Sequence, residues 1–481
     1  MADFIVAIEL GSSKITGIAG KKNLDGSIKV LAVVKEDATS CIRKGVVNNI
    51  DKTVQALGNV IKKLENILKT KIARVYVGVN GQSIRSEKNI IVKQLPADTK
   101  VTVDMVNGLM DANRSMQYPD QEILDAVTQE YKVDNQLQVD PTGFICTRLE
   151  GNFLNILWRK SFYRNLNRCF ENAGIAIAEM YLSPLSLADA VLTDAERRGG
   201  SVLVDLGAET TTVAVYYRDI LRHLAVIPLG SNNITKDLTS LQMEDKTAEE
   251  MKLKYAAAYT DSSEIDMGKT YPIDHDRSID MPKFVEIVEA RLQEIIENAW
   301  HQVPDEYIGK LLGGIVLTGG GSNMKDIDKA FKILTHTDKV RIAGSVTTTI
   351  ISKSPAVTAK DGTMCTVLGL LAKGNMNCAG SEISDSLFQN EQAADSTPDQ
   401  PSLTHTTTEI GKGIIKTEAE KAAEEAAKLK EEEEEKRHRQ QEAEEEEERR
   451  SKKRENSWFH KAVNGLKSFG RKMVEDEEDE K

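Results

Sequence analysis

The sequence predicts an α/β protein built of two large lobes, and two observations lead there. A hydrophobic strand, a carboxylate and a small polar turn feeding a second strand occur at residues 5–18 and again at 202–215. Around these segments strand-like runs alternate with helical ones until about residue 378, where the composition changes abruptly. A chain of 481 residues has ample material for two lobes with their own cores.

In the first repeat, residues 5–8 read as a strand, Glu9 closes it, and Gly11, Ser12, Ser13 and Lys14 form a tight turn. Residues 28–34 and 75–79 are further strands and residues 52–68 a helix. In the second repeat Asp205 takes the place of Glu9, and the turn is Gly207, Ala208, Glu209 and Thr210. Two such hairpins facing each other can grip a nucleoside triphosphate. Their N–H groups and hydroxyls would hold the phosphates, and Glu9 and Asp205 a hydrated Mg²⁺. Residues 284–300 space Val288, Leu292, Ile295 and Ala299 as a helix packed by its apolar face. Residues 315–318 are a strand that runs into Gly319, Gly320, Gly321 and Ser322, where glycine permits close approach to a flat ligand.

A net charge of −12 argues against a general nucleic-acid binder. No N-terminal run reads as a signal peptide, and no stretch approaches the roughly 20 apolar residues that span a bilayer. The five cysteines, Cys41, Cys146, Cys169, Cys365 and Cys378, are scattered without a C-x-x-C, which fits a reducing cytosol and inert thiols. The seven histidines include no H-x-x-x-H pair and give no support to a transition-metal site.

Residues 379–416, rich in Ser, Thr, Asp, Gln and Pro, read as a disordered linker. Residues 417–456 are nearly all Ala, Glu, Lys and Arg, with i,i+4 pairs such as Glu432–Lys436 and Glu445–Arg449, and read as a solvated helical spacer. Residues 457–474 wind as an amphipathic helix. Trp458, Phe459, Val463, Leu466, Phe469 and Met473 fall on one face, with Lys461, Lys467, Arg471 and Lys472 beyond its borders. Aromatics on one side and cations on the rest suit the surface of an anionic membrane; docking on a protein surface is the alternative. Residues 475–481 are an acidic tail.

The order of hairpin, connecting helix (residues 183–190), second hairpin, glycine-ended strand and second connecting helix (residues 364–371) resembles the actin/Hsp70/sugar-kinase superfamily. Within it the chain looks most like the FtsA family of bacterial actin-like cell-division proteins. Residues 75–81, 229–238 and 340–342, and the A-E-x-x-K stretch at 248–252, follow that family's pattern. The resemblance covers about residues 3–376 and again the terminal amphipathic segment. It implies an actin-like, ribonuclease H-like two-lobed ATPase fold. The first lobe (1A) would comprise residues 1–83, 166–199 and 331–378, with an inserted α/β subdomain (1C) at 84–165. The second would comprise 200–230 with 305–330 (2A) and 231–304 (2B). Within the insertion, residues 101–110 and 121–128 look helical, and 131–139, 142–149 and 152–157 look like strands.

Carried over residue by residue, the resemblance implies ATP and Mg²⁺ as cofactors. Gly11, Ser12, Ser13 and Lys14 would hold phosphates from one lobe, and Gly207 and Thr210 from the other. Asp205, with Glu9, would orient magnesium-bound waters. Glu249 and Lys252 would reach the ribose, and Gly320, Gly321 and Ser322 the adenine side. It also implies self-polymerisation, binding of the FtsZ C-terminal tail through 2B, and other division proteins through 1C. The place would be the cytoplasmic side of the inner membrane, at the division septum.

Two departures bear on this. Glu9 stands where the superfamily usually has Asp. Ala208 and Glu209 stand where glycine is usual, so that Glu209 either faces solvent or brings negative charge toward the phosphates. No residue matches one that positions an attacking water, so the expected activity is at most a slow ATPase. The competing readings are a sugar kinase of the same superfamily, or a pilus-assembly or shape-determining scaffold similar to PilM or MreB.

Overall fold

The computed structural model describes residues 3–380. The linker beyond Gly380, the spacer, the amphipathic segment and the acidic tail all lie outside the described residues.

Each lobe is organised around one of the two repeats. In the first, the strand Ile5–Leu10 pairs antiparallel with Lys14–Lys22, which pairs antiparallel with Ile28–Asp37. On its other edge Ile5–Leu10 runs parallel to Arg74–Val79, and that strand parallel to Ala176–Leu182. In the second lobe Ser201–Leu206 pairs antiparallel with Thr211–Tyr217, and that strand with Ile220–Ile227. The opposite edge continues in parallel through Gly314–Thr318 to Val340–Ile342. The two sheets therefore share one design: a hairpin meander on one side and parallel strands on the other.

The strands of both sheets are almost continuously apolar because helices cover their faces. Asn49 caps the helix Ile50–Leu68 by accepting from the Lys52 N–H at 3.0 Å, and Leu57, Val60 and Leu64 bury its inner face. The two connecting helices, Ser183–Val191 and Cys365–Lys373, pack on each other. Gly369 permits this, since a Cβ there would lie 2.4 Å from the Ser186 carbonyl oxygen. The long helix Met281–His301 carries the second lobe's own core, with Phe284, Val288, Leu292, Ile295 and Ile296 buried.

Four sequence expectations need correction. The strand expected at 131–139 is a hairpin, the end of Gln121–Val133 turning at Asp134 into the separate strand Gln136–Gln138. Residues 121–128 are not helical but open the strand Gln121–Val133, which pairs along its length with Ile145–Arg159. Helix-forming Glu, Leu and Ala there are overruled by the partner strand. The expected strands 142–149 and 152–157 are one bulged strand, Ile145–Arg159. The boundary at 330/331 cuts the helix Ile327–Thr335, whose Phe331 sits in the second lobe's core. That lobe therefore runs on to Ile342, and the chain is back on the first-lobe sheet at Ile350–Ile351.

The insertion leaves the first lobe in sequence, yet its sheet runs on from the second lobe: Arg85 pairs with Ala225, and Ile84 O accepts from the Val226 N–H at 3.0 Å. It has a small core of its own around Leu109, Tyr131, Leu149 and Phe153. Among the described residues no helix is long and apolar enough to cross a membrane.

Candidate functional site

The repeats match in register as well as in sequence. Glu9 lies opposite Thr16 and Asp205 opposite Thr212, each one residue before the end of its strand. Each turn is closed by the same bond, Gly11 N–H to Lys14 O at 3.0 Å and Gly207 N–H to Thr210 O at 2.9 Å. The turns leave the N–H groups of Ser12, Ser13, Ala208 and Glu209 without a hydrogen bond among the described residues. N–H groups left over in a tight turn form an anion-binding concavity.

Both hairpins open onto one cleft of about 1790 Å³. Glu9, Gly11, Ser12, Ser13 and Lys14 line it from one lobe, and Asp205, Gly207 and Thr210 from the other. Gly319, at φ +83°, lets the loop after Gly314–Thr318 lie against the second hairpin; a Cβ there would fall 2.3 Å from Asp205 Oδ1. Gly320 and Gly321 line the cleft beside it.

Ser322 does not line the cleft. It is 1% exposed, and its hydroxyl donates to Gly319 O at 2.7 Å, so it holds the glycine turn from behind.

Glu249 and Lys252 line the far end of the cleft and are already bonded to one another. The Lys252 ammonium, buried, lies 2.7 Å from Glu249 Oε2 and 2.9 Å from Thr235 Oγ1, while Thr235 also donates to Glu249 at 2.6 Å. The pair is thus pre-set by the protein, with the more exposed Glu249 carboxylate left able to meet a sugar hydroxyl.

The electrostatics at the cleft floor are unbalanced. Burial, then the nearby Asp205 carboxylate, pushes Glu9 up to about 8, despite Lys35 and a hydrogen bond from Thr366. Burial raises Asp205 to about 6. Two carboxylates that resist ionisation side by side are relieved by a cation between or beside them. Two carboxylates with room for water suit hydrated Mg²⁺, which keeps several of its waters. The donor set therefore fits the expected cofactor pair: N–H concavities for phosphates, and oxygen ligands for the metal.

Glu209 also lines the cleft, largely shielded from solvent. Its side chain is 15% exposed, accepts from the Lys44 N–H at 2.8 Å, and lies 3.5 Å from Lys236 Nζ.

The sequence reading missed Lys35, Asn80, Asp361, Thr363 and Thr366, which also line the cleft. Lys35 sits opposite Thr16 on the strand beside the first hairpin, and its ammonium is depressed by burial and by Lys14. The available signal was slight, since Lys35 directly follows the apolar run that ends at Val34 and precedes Glu36 and Asp37. Asp361 accepts from both the N–H and the hydroxyl of Thr363, so the D-G-T turn before Cys365–Lys373 was the signal there.

Comparison with known proteins points to one family. Residues 202–369 match the family model described as cell division protein FtsA, and residues 81–157 match the SHS2 domain inserted in FtsA. The chain is 33% identical over 331 residues to the cell division protein FtsA of Neisseria meningitidis serogroup B, covering 67% of this chain and 80% of that protein. It is 30% identical over 339 residues to that of Porphyromonas gingivalis, covering 69% and 71% respectively. Among solved structures, a PilM–PilN type IV pilus biogenesis complex superposes with a TM-score of 0.53 at 14% identity, over 76% of this chain and 97% of that one. That likeness is one of fold.

Proposed function

The chain belongs to the FtsA family of cell-division proteins, and on that premise we propose that it is an ATP-binding, self-assembling adaptor that holds the FtsZ ring on the inner face of the cytoplasmic membrane. The observation that carries the nucleotide part is the matched pair of hairpins opening onto one cleft, with Glu9 and Asp205 on its floor.

Gly11, Ser12, Ser13 and Lys14 would hold phosphates from the first lobe, and Gly207 and Thr210 from the second. Glu9 and Asp205 would hold Mg²⁺ through water, and Glu249 with Lys252 the ribose. Nucleotide would act as an assembly cofactor, because a ligand that touches both lobes favours the lobe angle it fits best. The subdomain around residues 231–304 would receive the FtsZ tail, and the insertion would meet neighbouring protomers and other division proteins. The segment 457–474 would bind anionic lipid reversibly, and many copies in a polymer would hold far more firmly than one. The location would be peripheral, at the division septum.

The test is electron microscopy of the full chain on anionic lipid monolayers, with and without Mg-ATP, and with FtsZ tail peptide. Filaments that need Mg-ATP, and that are lost in Asp205→Ala, support the reading. Filaments indifferent to both remove nucleotide from it, and absence of tail-peptide binding removes FtsZ.

A further inference from the structure

The residues Lys44 and Gly45 form a two-residue turn between the short strands Ile42–Arg43 and Val46–Val47, with Arg43 paired to Val46. Such a turn needs positive φ at both central positions, and they have +50° and +74°. Its geometry leaves both central N–H groups pointing out of the hairpin. Each is taken by a side chain, and the two side chains come from different hairpins of the cleft. Gly45 N–H donates to Ser12 Oγ at 2.8 Å, and Lys44 N–H donates to Glu209 Oε2 at 2.8 Å.

The turn itself is fixed to the first lobe. Lys44 O accepts from the Gln82 N–H at 2.8 Å, and the Gly45 and Gly81 backbones are so close that a Cβ on Gly45 would fall 2.6 Å from Gly81 Cα. Glu209, on the second lobe, therefore binds a turn that is tied to the first lobe. Its other oxygen lies 3.5 Å from Lys236 Nζ of its own lobe. The neighbouring cross-cleft contact, Asn80 Nδ2 to Thr212 Oγ1, is long at 3.4 Å. A carboxylate accepting an N–H is the stronger kind of bond. A glycine at position 209 would have no side chain to reach across.

We propose that Glu209 is a positioning residue that latches the second phosphate hairpin to the first lobe at the wall of the cleft, so that nucleotide enters and leaves only when the Glu209–Lys44 bond opens. This rests on the nucleotide-binding reading above. A latch that closes again after each passage slows entry and exit alike and leaves the equilibrium affinity nearly unchanged. A carboxylate that instead repelled the phosphates would change affinity, and would do so more for ATP than for ADP.

The test uses the full chain as wild type, Glu209→Ala and the near-isosteric Glu209→Gln. Amide hydrogen exchange is followed without nucleotide in peptides covering residues 42–47, and fluorescent ATP and ADP analogues are mixed by stopped flow. In Glu209→Ala, exchange at the turn and both rate constants should rise about tenfold, with Kd within about twofold of wild type. Glu209→Gln, which keeps an acceptor for Lys44 but loses the charge facing Lys236, should fall between and covers the case in which the alanine variant does not fold. Unchanged exchange overturns the latch. So does faster exchange with unchanged rate constants, or a change confined to one rate constant or to ATP alone. If wild type binds neither analogue, the nucleotide reading fails, and the exchange result by itself decides whether Glu209 holds the lobes.

Discussion

Arg222 of the second lobe clasps Glu130 of the insertion through two parallel hydrogen bonds, Nη1 to Oε2 at 2.9 Å and Nη2 to Oε1 at 2.7 Å. The same guanidinium donates to Gln129 Oε1 at 3.2 Å, and Gln129 Nε2 donates to Leu221 O at 2.9 Å. With Leu224 N–H donating to Ser86 Oγ at 2.8 Å, these bonds couple the insertion to the second lobe, although the chain enters and leaves it from the first. Any change in lobe angle must therefore carry the insertion with the second lobe or break this cluster.

Arg222 is 6% exposed on its side chain and Glu130 24%, so removing the cation strands a partly buried carboxylate. Arg222→Met should lower unfolding stability by about 2 kcal/mol in denaturant titrations. The hydrogen bonds from Arg222 outweigh burial and hold Glu130 below its ordinary 4.5. A depressed carboxyl stabilises the fold above its unfolded pKa, and that contribution fades as pH falls below about 4.5. The acid limb of the stability curve should accordingly be shallower in Arg222→Met than in wild type. Identical limbs would show that the pair contributes nothing.

The pair on the cleft floor has the opposite sign. Glu9, at about 8 from 4.5, and Asp205, at about 6 from 3.8, bind protons more tightly in the folded protein than in the unfolded chain. Stability without ligand should therefore fall as pH rises from about 4 to 8, by on the order of 1–2 kcal/mol once the openness of the cleft to water is allowed for. Mg-ATP should flatten this slope by neutralising the ionised pair. Asp205→Asn, which removes the charge facing Glu9, should flatten it without ligand. Thermal melts across that pH range check both, and a slope unaffected by the asparagine would mean that the carboxylates do not sense each other.

The two hairpins were legible because everything that makes them is local: an apolar run, a carboxylate, a glycine turn, and a second run within fourteen residues. The strand Gln121–Val133 was not, because its state is set by pairing with Ile145–Arg159, and a local reading sees only helix-forming residues. Position 209 was singled out from the sequence, but the partner of Glu209 is a backbone N–H 165 residues away. Ser322 reads as one more ligand-facing residue after three glycines, whereas the backbone turns there and buries it. Local chemistry marked the site, and the long-range contacts decided which side chains face it.

The segment 457–474 rests on sequence alone, and its pattern makes a quantitative expectation. Moving Trp458 and Phe469 from water into an interfacial layer contributes about 1.5–3 kcal/mol each, so Trp458→Glu or Phe469→Glu should weaken vesicle binding at least about tenfold. Lys461, Lys467, Arg471 and Lys472 each add about 1 kcal/mol at an anionic surface, a contribution that salt screens. Binding to phosphatidylglycerol vesicles should therefore weaken as salt is raised, and binding to neutral phosphatidylcholine should be weaker from the start. Deleting 457–474 from the full chain should leave it in the dense, lipid-free bottom fraction of a flotation assay. A deletion variant that still floats would assign the membrane contact elsewhere. Loss of FtsZ peptide binding with no loss of flotation would make the segment a protein-docking helix, with its aromatic face against a partner rather than lipid.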